Sequence, residues 1–277
     1  MADKPQVAEH YSAHYRDFAA EVYGAVRREA FGVDVGQNSW LTANELERFG
    51  ARLELRPGLR LLDVGCGSGG PALHLARLSG CDVVGVDLYE EAVEAGNRAA
   101  LEADLDKHAT FVQADGARSL PFNSGSFDAV LCIDAINHLP DRPRVLGDWA
   151  RLLKPAGRLL FTDPVVVTGM VSADEIAVRA SIGYFLFLPL GENERLLAEA
   201  GLRVVHVEDT TAQLADVARR RHDARAAHAG DLVGVEGDHA FAGRQRFFHL
   251  VAALADERRL SRLVYTAERA WRPRPDP

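Results

Sequence analysis

The chain of 277 residues has neither an excess of positive charge nor a long apolar run. Lys and Arg number 32 against 40 Asp and Glu, a formal net charge of -8. That balance disfavours a broad nucleic-acid or anionic-membrane surface, which needs clustered positive charge. No apolar stretch approaches the ~20 residues that cross a bilayer, and the polar N-terminus lacks the apolar core of a signal peptide. We therefore expect a cytoplasmic protein without nucleic-acid or membrane partners.

Cysteine is scarce as well. Cys66, Cys81 and Cys132 fall in or beside predicted buried strands, and no C-x-x-C pair occurs. This spacing indicates small core residues rather than a disulfide framework or a zinc site. The scattered histidines have no carboxylates at ligand spacing, so we expect no metal site. With 47% hydrophobic and 26% charged residues, the chain can bury a substantial core.

From residue 60 onward, short apolar runs alternate with amphipathic stretches. Strands are predicted at residues 60–64, 82–86, 110–113, 127–133 and 157–162, and helices near 71–78, 90–105 and 143–153. This alternation implies a parallel sheet covered on both faces. Further on, a helix is predicted at 192–200, a strand at 202–207, mostly helical chain from 210 to about 260, and a final edge strand, "LSRLVYTAER".

The fifty-odd residues before this core look helical. "TANE" at 42–45 has the form of a capping box and predicts a helix start near residue 43. We divide the chain into an N-terminal helical cap, residues 1–54, and an α/β core, residues 55–277. The core is expected to carry two lid segments, residues 164–191 and 210–260.

The stretch "LLDVGCGSGGPALHLA" at 61–76 places glycines between a predicted strand and a predicted helix. Backbone can approach a nucleotide closely there, since a Cβ would block the approach or forbid so tight a turn. Gly65, Gly67 and Gly70 satisfy the G-x-G-x-x-G pattern of nicotinamide enzymes, whereas Gly65, Gly67 and Gly69 equally satisfy G-x-G-x-G. The glycines alone therefore do not decide which nucleotide the loop binds.

Acidic residues around the loop indicate which nucleotide it binds. Asp87 ends the second strand, where a carboxylate can bind both ribose hydroxyls of any adenosine ligand. Asp63, ahead of the loop, would repel a pyrophosphate but suits the ammonium group of an amino acid. Asp115, after the third strand, can accept from an adenine amino group. These acids fit the cationic S-adenosylmethionine, although Asp63 could instead brace the loop and Asp115 could form a turn.

Residues from about 55 to 163 resemble the class I S-adenosylmethionine-dependent methyltransferases. The resemblance is carried by "LLDVGCGSGG", "VVGVDL", "ADGARSLPF", "SFDAVLCIDAINHLPD" and "LLKPAGRLLFTDP", in that order. It implies a Rossmann-like, seven-stranded, mostly parallel sheet with an antiparallel last strand preceded by a helical insertion. It places three glycines under the methionine moiety, Asp87 on the ribose, and Asp115, Gly116 and Ala117 around the adenine. The other predicted cofactor contacts are Ser39, Cys66, Leu88 and Ile133.

Methyl transfer from a sulfonium is an in-line displacement that needs a placed acceptor and excluded water. An acceptor that arrives protonated also needs a base. His138, just past the fourth strand, is the candidate base, but it could equally cover the adjacent helix or bond a backbone carbonyl.

The N-terminal segment resembles that of the phosphoethanolamine and sarcosine/dimethylglycine methyltransferases. This resemblance implies that Tyr15, or alternatively Tyr11, closes over the site and pairs with a histidine, although each could merely anchor an amphipathic helix. It also implies that Gln37, Ser39 and Trp40 of "GQNSW" face the cofactor and acceptor.

The lid segment "RASIGYFLFLPLG" offers only Arg179 and Tyr184 as polar groups. Because a phosphate buried there would leave charge unpaired, we expect an apolar or aromatic acceptor. The run "RRRHDAR" at 219–225 could grip an anionic substrate, but we interpret it as a solvated helix face. The predicted acceptor contacts outside the N-terminal segment are Asn137, Tyr184, Phe187 and Phe248.

These patterns together predict methyl transfer to an oxygen or nitrogen of a small apolar or aromatic metabolite, as in secondary-metabolite tailoring. A C-methyltransferase of a quinone, sterol or isoprenoid and an amine or phosphobase N-methyltransferase are alternatives. So is an inactive fold that only binds the cofactor. We expect a monomer or homodimer.

Overall fold

A computed structural model describes residues 21–270. The predicted Tyr11 and Tyr15 lie outside these residues. Strands are β1 (Arg60–Val64), β2 (Asp82–Asp87), β3 (Ala109–Gln113), β4 (Phe127–Cys132), β5 (Leu153–Val167), β6 (Leu188–Pro189), β7 (Leu202–Asp209) and β8 (Leu260–Arg269). They form one sheet in the order β3-β2-β1-β4-β5-β8-β7, with the short β6 beside β5. β8 pairs antiparallel with both β5 and β7, and the other pairs among the described strands are parallel. The predicted α/β fold class is therefore confirmed.

Helices cover both faces of this sheet and its carboxyl edge. They are α1 (Glu21–Phe31), α2 (Ala43–Arg52), α3 (Gly70–Ser79), α4 (Glu90–Glu102), α5 (Arg142–Leu152), α6 (Ala173–Arg179), α7 (Glu192–Glu199), α8 (Thr211–Ala227), α9 (Ala229–Glu236) and α10 (Asp238–Asp256). A 3₁₀ turn, Ile136–His138, follows β4. Within residues 21–270, no helix is both long and apolar enough to span a bilayer.

The prediction of an edge position for the last strand is wrong. β8 lies between β5 and β7, and its first eight residues are buried. The outer position belongs to β7, where Val205 and Val207 are partly exposed among polar neighbours. A strand covered on both faces needs a nearly continuous apolar run, and "LVYTA" within β8 supplies one.

The sheet separates two apolar clusters. Side chains alternate across β1, so Leu62 joins the cluster around Trp149 and Phe161, while Leu61 joins the cluster around Phe49. A third cluster packs Phe31, Trp40, Val217 and Phe248 together. This third cluster joins α1, α8 and α10, so the helical insertion and the cap share one core.

The start of α2 differs in one respect from the predicted capping box. The Thr42 hydroxyl accepts from the Glu45 backbone N–H at 3.3 Å, as a helix cap does. The Glu45 carboxylate, however, bonds to Arg262 and Gln213 instead of turning back to the cap. A buried cation at the carboxyl edge outcompetes the local hydrogen bond, because burying Arg262 without a carboxylate would be costly.

Gly70, the last glycine of the G-x-G-x-x-G pattern, has a packing role. A Cβ at this position would lie 2.1 Å from the Val35 carbonyl oxygen and 2.9 Å from the Gly36 Cα. Only glycine allows the cap segment to cross the first turn of α3 so closely. The third glycine thus joins the cap to the core.

Candidate active site

The glycine loop connects β1 to α3. Gly65, Gly67 and Gly69 all have positive φ, at 74°, 55° and 78°, a region that other residues rarely adopt. A Cβ on Gly65 would come within 2.6 Å of Ala135, and one on Gly69 within 2.5 Å of the Phe111 ring. Backbone conformation and packing therefore both require glycine in this loop.

Asp63 is a buried carboxylate at the base of the loop, with 2% of the residue exposed. No hydrogen bond or ion pair joins its side chain to any part of residues 21–270. Burial and the nearby charge of Asp87 raise the pKa of Asp63 to about 7. A cation placed against this carboxylate would favour its ionised form, which suits the ammonium group of S-adenosylmethionine.

Asp87 is the residue that braces the loop in this structure. Its carboxylate accepts from the Gly67 N–H at 2.8 Å and from the Tyr89 N–H at 3.1 Å. Burial raises the pKa of Asp87, against the opposing effect of these backbone hydrogen bonds. The side chain stands at the end of β2, where the ribose is predicted to bind.

Asp115 lies beyond the end of β3 and forms a turn. Its Oδ1 accepts from the Ala117 N–H at 2.9 Å, and Arg118 approaches its other oxygen at 3.3 Å. Because β3, β2 and β1 are consecutive in the sheet, Asp115, Asp87 and Asp63 occur at the carboxyl ends of neighbouring strands. This row of acids suits the order adenine, ribose and amino acid within one molecule of S-adenosylmethionine.

The remaining predicted cofactor residues surround this row. Cys66 is buried and Leu88 is half exposed. Ile133 follows β4 and packs against the cluster around Phe49. A Cβ on Gly116 would lie 3.0 Å from a Val64 methyl group.

A buried ion network holds the cap loop, residues 37–40, at the sheet edge. Arg262 of β8 donates to Asp134 through Nε at 2.8 Å and Nη2 at 3.2 Å, and to Glu45 through Nη1 at 2.6 Å. Asp134 also accepts from the Trp40 N–H at 2.9 Å. Since these residues come from distant segments, the network sets where Trp40 lies relative to the end of β4.

A second buried cluster supports the turn that carries His138. Arg142 donates to Asp163 at 3.0 Å, to the Asn193 side chain, and to the Ile136 carbonyl at 3.3 Å. Asn193 also donates to Asp163 at 3.0 Å. The turn is thereby tied to β5 and α7.

The His138 ring is oriented by the lid. Its Nδ1 lies 2.8 Å from the Tyr184 carbonyl oxygen, which can only accept, so Nδ1 carries the proton and Nε2 the lone pair. Burial, and secondarily the charge of Arg179, lower the pKa of His138 to about 4. The ring is therefore neutral at neutral pH. One ring nitrogen therefore bonds a backbone carbonyl, as one of the two interpretations of the sequence expects, and the role of His138 as a base stays a prediction.

A cavity of about 130 Å³ lies among the His138 turn, the cap loop and helices α8 and α10. Of the residues predicted to bind the acceptor or to act in catalysis, its walls include Gln37, Trp40, Asn137, His138 and Phe248, together with Ser39. Tyr184 is 49% exposed, and its neighbour Phe185 lines the cavity. Phe187 packs behind Phe185, with ring centroids 6.2 Å apart.

The cavity is also lined by five arginines, namely Arg27, Arg179, Arg221, Arg225 and Arg244. The sequence had indicated Arg179 as a polar group of the lid, whereas no sequence pattern had indicated Arg27 or Arg244. The interpretation of residues 219–225 as a solvated face is therefore wrong in part. Arg219 and Arg220 form ion pairs at the surface, whereas Arg221 and Arg225 face inward. The signal lay in helical spacing, because Leu214, Ala218, Arg221 and Arg225 share one face of α8.

Comparisons with known proteins agree with this geometry. Residues 62–161 match the methyltransferase domain family. The chain is 36% identical over 173 residues to 27-O-demethylrifamycin SV methyltransferase of Amycolatopsis mediterranei, covering 61% of this chain and 63% of that protein. The chain thus spans about three fifths of the length of the curated relatives it first matches.

Two solved structures share the fold across most of the chain. Phosphoethanolamine N-methyltransferase 2 of Haemonchus contortus superimposes with a TM-score of 0.78 at 22% identity, covering 92% of this chain and 60% of that chain. The [4+2]-cyclase SpnF superimposes with a TM-score of 0.76 at 24% identity, covering 96% and 95%. Residues 62–161 thus carry a methyltransferase domain, and the sheet order and the acids at the strand ends are those expected of a class I S-adenosylmethionine-dependent methyltransferase. The cofactor of this class is the one that the loop and acids fit.

Proposed function

We propose that the protein methylates a hydroxyl oxygen, or a nitrogen, of a small aromatic metabolite, as in the tailoring of a secondary metabolite. The observation that carries this proposal is the neutral imidazole of His138 beside an aromatic cavity. Its Nδ1 donates to the Tyr184 carbonyl at 2.8 Å, which leaves Nε2 as a proton acceptor. A base of this kind is useful where the acceptor arrives protonated.

The chain's own residues place the acceptor and remove its proton. When bound, S-adenosylmethionine supplies an electrophilic methyl group on a sulfonium. Trp40, Phe185 and Phe248 line the cavity and present aromatic surfaces on which a flat ring can pack. The similarity to 27-O-demethylrifamycin SV methyltransferase supports an oxygen acceptor.

The test measures the methyl group itself, because the same fold occurs in a cyclase. The protein would be incubated with S-adenosylmethionine labelled in the methyl group and with separate panels of phenols, aromatic amines and isoprenoid quinones. We expect label in an O- or N-methyl product, identified by NMR, together with S-adenosylhomocysteine. Label on carbon would overturn the acceptor assignment. Cofactor binding with no transfer to any panel would favour a binding-only role.

A further inference from the structure

Arg221 is a cation in the cavity wall without a carboxylate within ion-pair distance in residues 21–270. It donates to the Ser39 carbonyl at 3.2 Å and approaches Asn38 Oδ1 at 3.5 Å, both neutral acceptors. Its guanidinium also lies 5.3 Å from the Trp40 ring centroid and 4.6 Å from that of Phe248. Burial, then repulsion from neighbouring arginines, lowers the pKa of Arg221. An anion in the cavity would offset both the burial of this charge and the repulsion from the neighbouring arginines.

The neighbouring charges do not cancel this surplus. Arg225 and Arg244 both pair with a single carboxylate, that of Glu236. Arg27 is matched by Asp34 at 3.0 Å. On the other wall Asp134 and Glu45 share one cation, Arg262, so that wall offsets the extra arginine at Glu236 and leaves the charge of Arg221 unbalanced.

Arg179 of the lid also lines the cavity. It is 2% exposed, and its guanidinium lies 4.6 Å from the Phe185 ring centroid and 5.1 Å from that of Phe247. The N–H groups of a guanidinium lie in its own plane, from which they can donate to a planar or tetrahedral oxyanion.

Asn137 is an independent sign of a ligand. The residue is fully buried and lines the same cavity. Neither its Oδ1 nor its Nδ2 has a hydrogen-bond partner within the described part of the chain. An unsatisfied buried polar group costs about 1–3 kcal/mol, so a ligand that bonds this amide would be favoured.

We propose that the cavity recognises its acceptor through an oxyanion, a carboxylate or phosphate carried on an aromatic ring, bound by Arg221 and Arg179 and hydrogen-bonded to Asn137. The aromatic part of such an acceptor packs against Trp40 and Phe248. This inference rests on the proposed function only in assigning the anion to the methyl acceptor. It also adds an oxyanion to the apolar or aromatic acceptor expected from the lid sequence, because Arg27, Arg221, Arg225 and Arg244 reach the cavity from outside residues 164–191.

The test compares matched aromatic probes by calorimetry, using the complex of the protein with S-adenosylhomocysteine. The probes are 1-hydroxy-2-naphthoate and its methyl ester, and 1-naphthyl phosphate and 1-naphthol. We expect each anion to bind about tenfold or more tightly than its neutral counterpart, as a charge-assisted contact with a buried guanidinium predicts. The tighter of the two anions identifies the oxyanion class.

Substitutions test which residues produce the preference for anions. Arg221→Gln should abolish the preference for the anions, and Arg220→Gln, which removes a surface ion pair with Asp216, should leave it intact. Asn137→Asp, which adds a negative charge with little change in shape, should weaken the anions more than the neutral probes. If Arg221→Gln does not fold, Arg221→Lys keeps the charge without the planar fork and should retain only part of the preference.

Two results would overturn the inference: equal affinity for acid and ester, or a preference unchanged in both Arg221 variants. Its failure can be told from failure of the proposed function. Methyl transfer to neutral phenols without any anion preference would remove the oxyanion site and leave the proposed function standing. Tight binding of anions with no methyl transfer would keep the oxyanion site and remove the proposed function.

Discussion

The cofactor side of the site is built largely from one short run of chain, whereas the acceptor side is assembled from segments far apart in sequence. Asp63 and the glycines of the loop lie within a few residues of each other, and Asp87 ends the neighbouring strand. On the acceptor side, Trp40, His138 and Arg221 belong to a cap loop, a turn and an inserted helix. A nearly contiguous motif carries its ligand chemistry wherever the sheet forms, but a dispersed site depends on how the helices pack.

The two sides also differ in charge. Carboxylates line the predicted cofactor side, and Asp63 faces no cation among residues 21–270. Arginines line the acceptor cavity. This polarity would direct a cationic cofactor and an anionic acceptor to different sides, with His138 near the boundary.

The largest effect is expected from removing the cation of the buried ion network that holds the cap loop. Arg262→Met should lower the free energy of unfolding by about 3–5 kcal/mol, because Asp134 and Glu45 would stay buried without their cation. Urea denaturation measures the change. Arg203→Met, which removes a surface ion pair on the neighbouring β7, is the control and should have little effect. Comparable losses in both variants would show that the network is not what holds the cap loop.

The next largest effect is expected from replacing His138, which lies between the two sides. His138→Ala should lower kcat by about 10²–10⁴-fold, the usual contribution of a general base, with the cofactor Kd nearly unchanged. Steady-state kinetics and calorimetry measure the two quantities. Full activity in this variant would make His138 a structural residue.

The pH dependence sharpens the same assignment. Because the pKa of His138 is lowered to about 4, the imidazole remains a base until the pH falls towards that value. We expect kcat to stay level through weakly acidic pH and to fall only near pH 4, with circular dichroism checking that the protein stays folded. An acidic limb centred near an unperturbed histidine pKa of about 6.5 would contradict the buried environment.

On the cofactor side, Asp87→Ala should weaken S-adenosylmethionine binding by about tenfold or more, since a buried, hydrogen-bonded carboxylate is lost. Calorimetry gives the affinity directly. Asp82→Ala, at the exposed start of the same strand where it pairs with His108, serves as the control. An unchanged affinity in Asp87→Ala would remove the ribose assignment.

The smallest expected effect is a pH dependence of cofactor affinity. With its pKa raised to about 7, Asp63 is partly protonated before binding and must ionise to face an ammonium group. Cofactor affinity should therefore rise a few-fold from about pH 6 to about pH 7, with proton release, a range below the ordinary pKa of an α-ammonium group. Calorimetry in buffers of different ionisation enthalpy measures the protons released. Asp63→Asn should bind more weakly and without this dependence, and proton uptake by the native protein would contradict the assignment.

Local patterns were enough for most of the sheet. The predicted strands of the core match β1 to β5, and the predicted helix at 192–200 and strand at 202–207 match α7 and β7, with shifted ends. The position of β8 was missed, because strand order is a long-range property that an apolar run does not encode. The inward arginines were missed because a run of charged residues was considered without its helical phase.

The α/β sheet, the glycine loop and the acids predicted to bind the cofactor all followed from the sequence, since each depends on residues close together in the chain. The tertiary structure alone decided the character of the acceptor cavity. Whether Arg221 faces water or Trp40 depends on the packing of α8 against α1 and α10. Where Trp40 lies depends on an ion network between Arg262, Asp134 and Glu45, whose members are brought together only by folding.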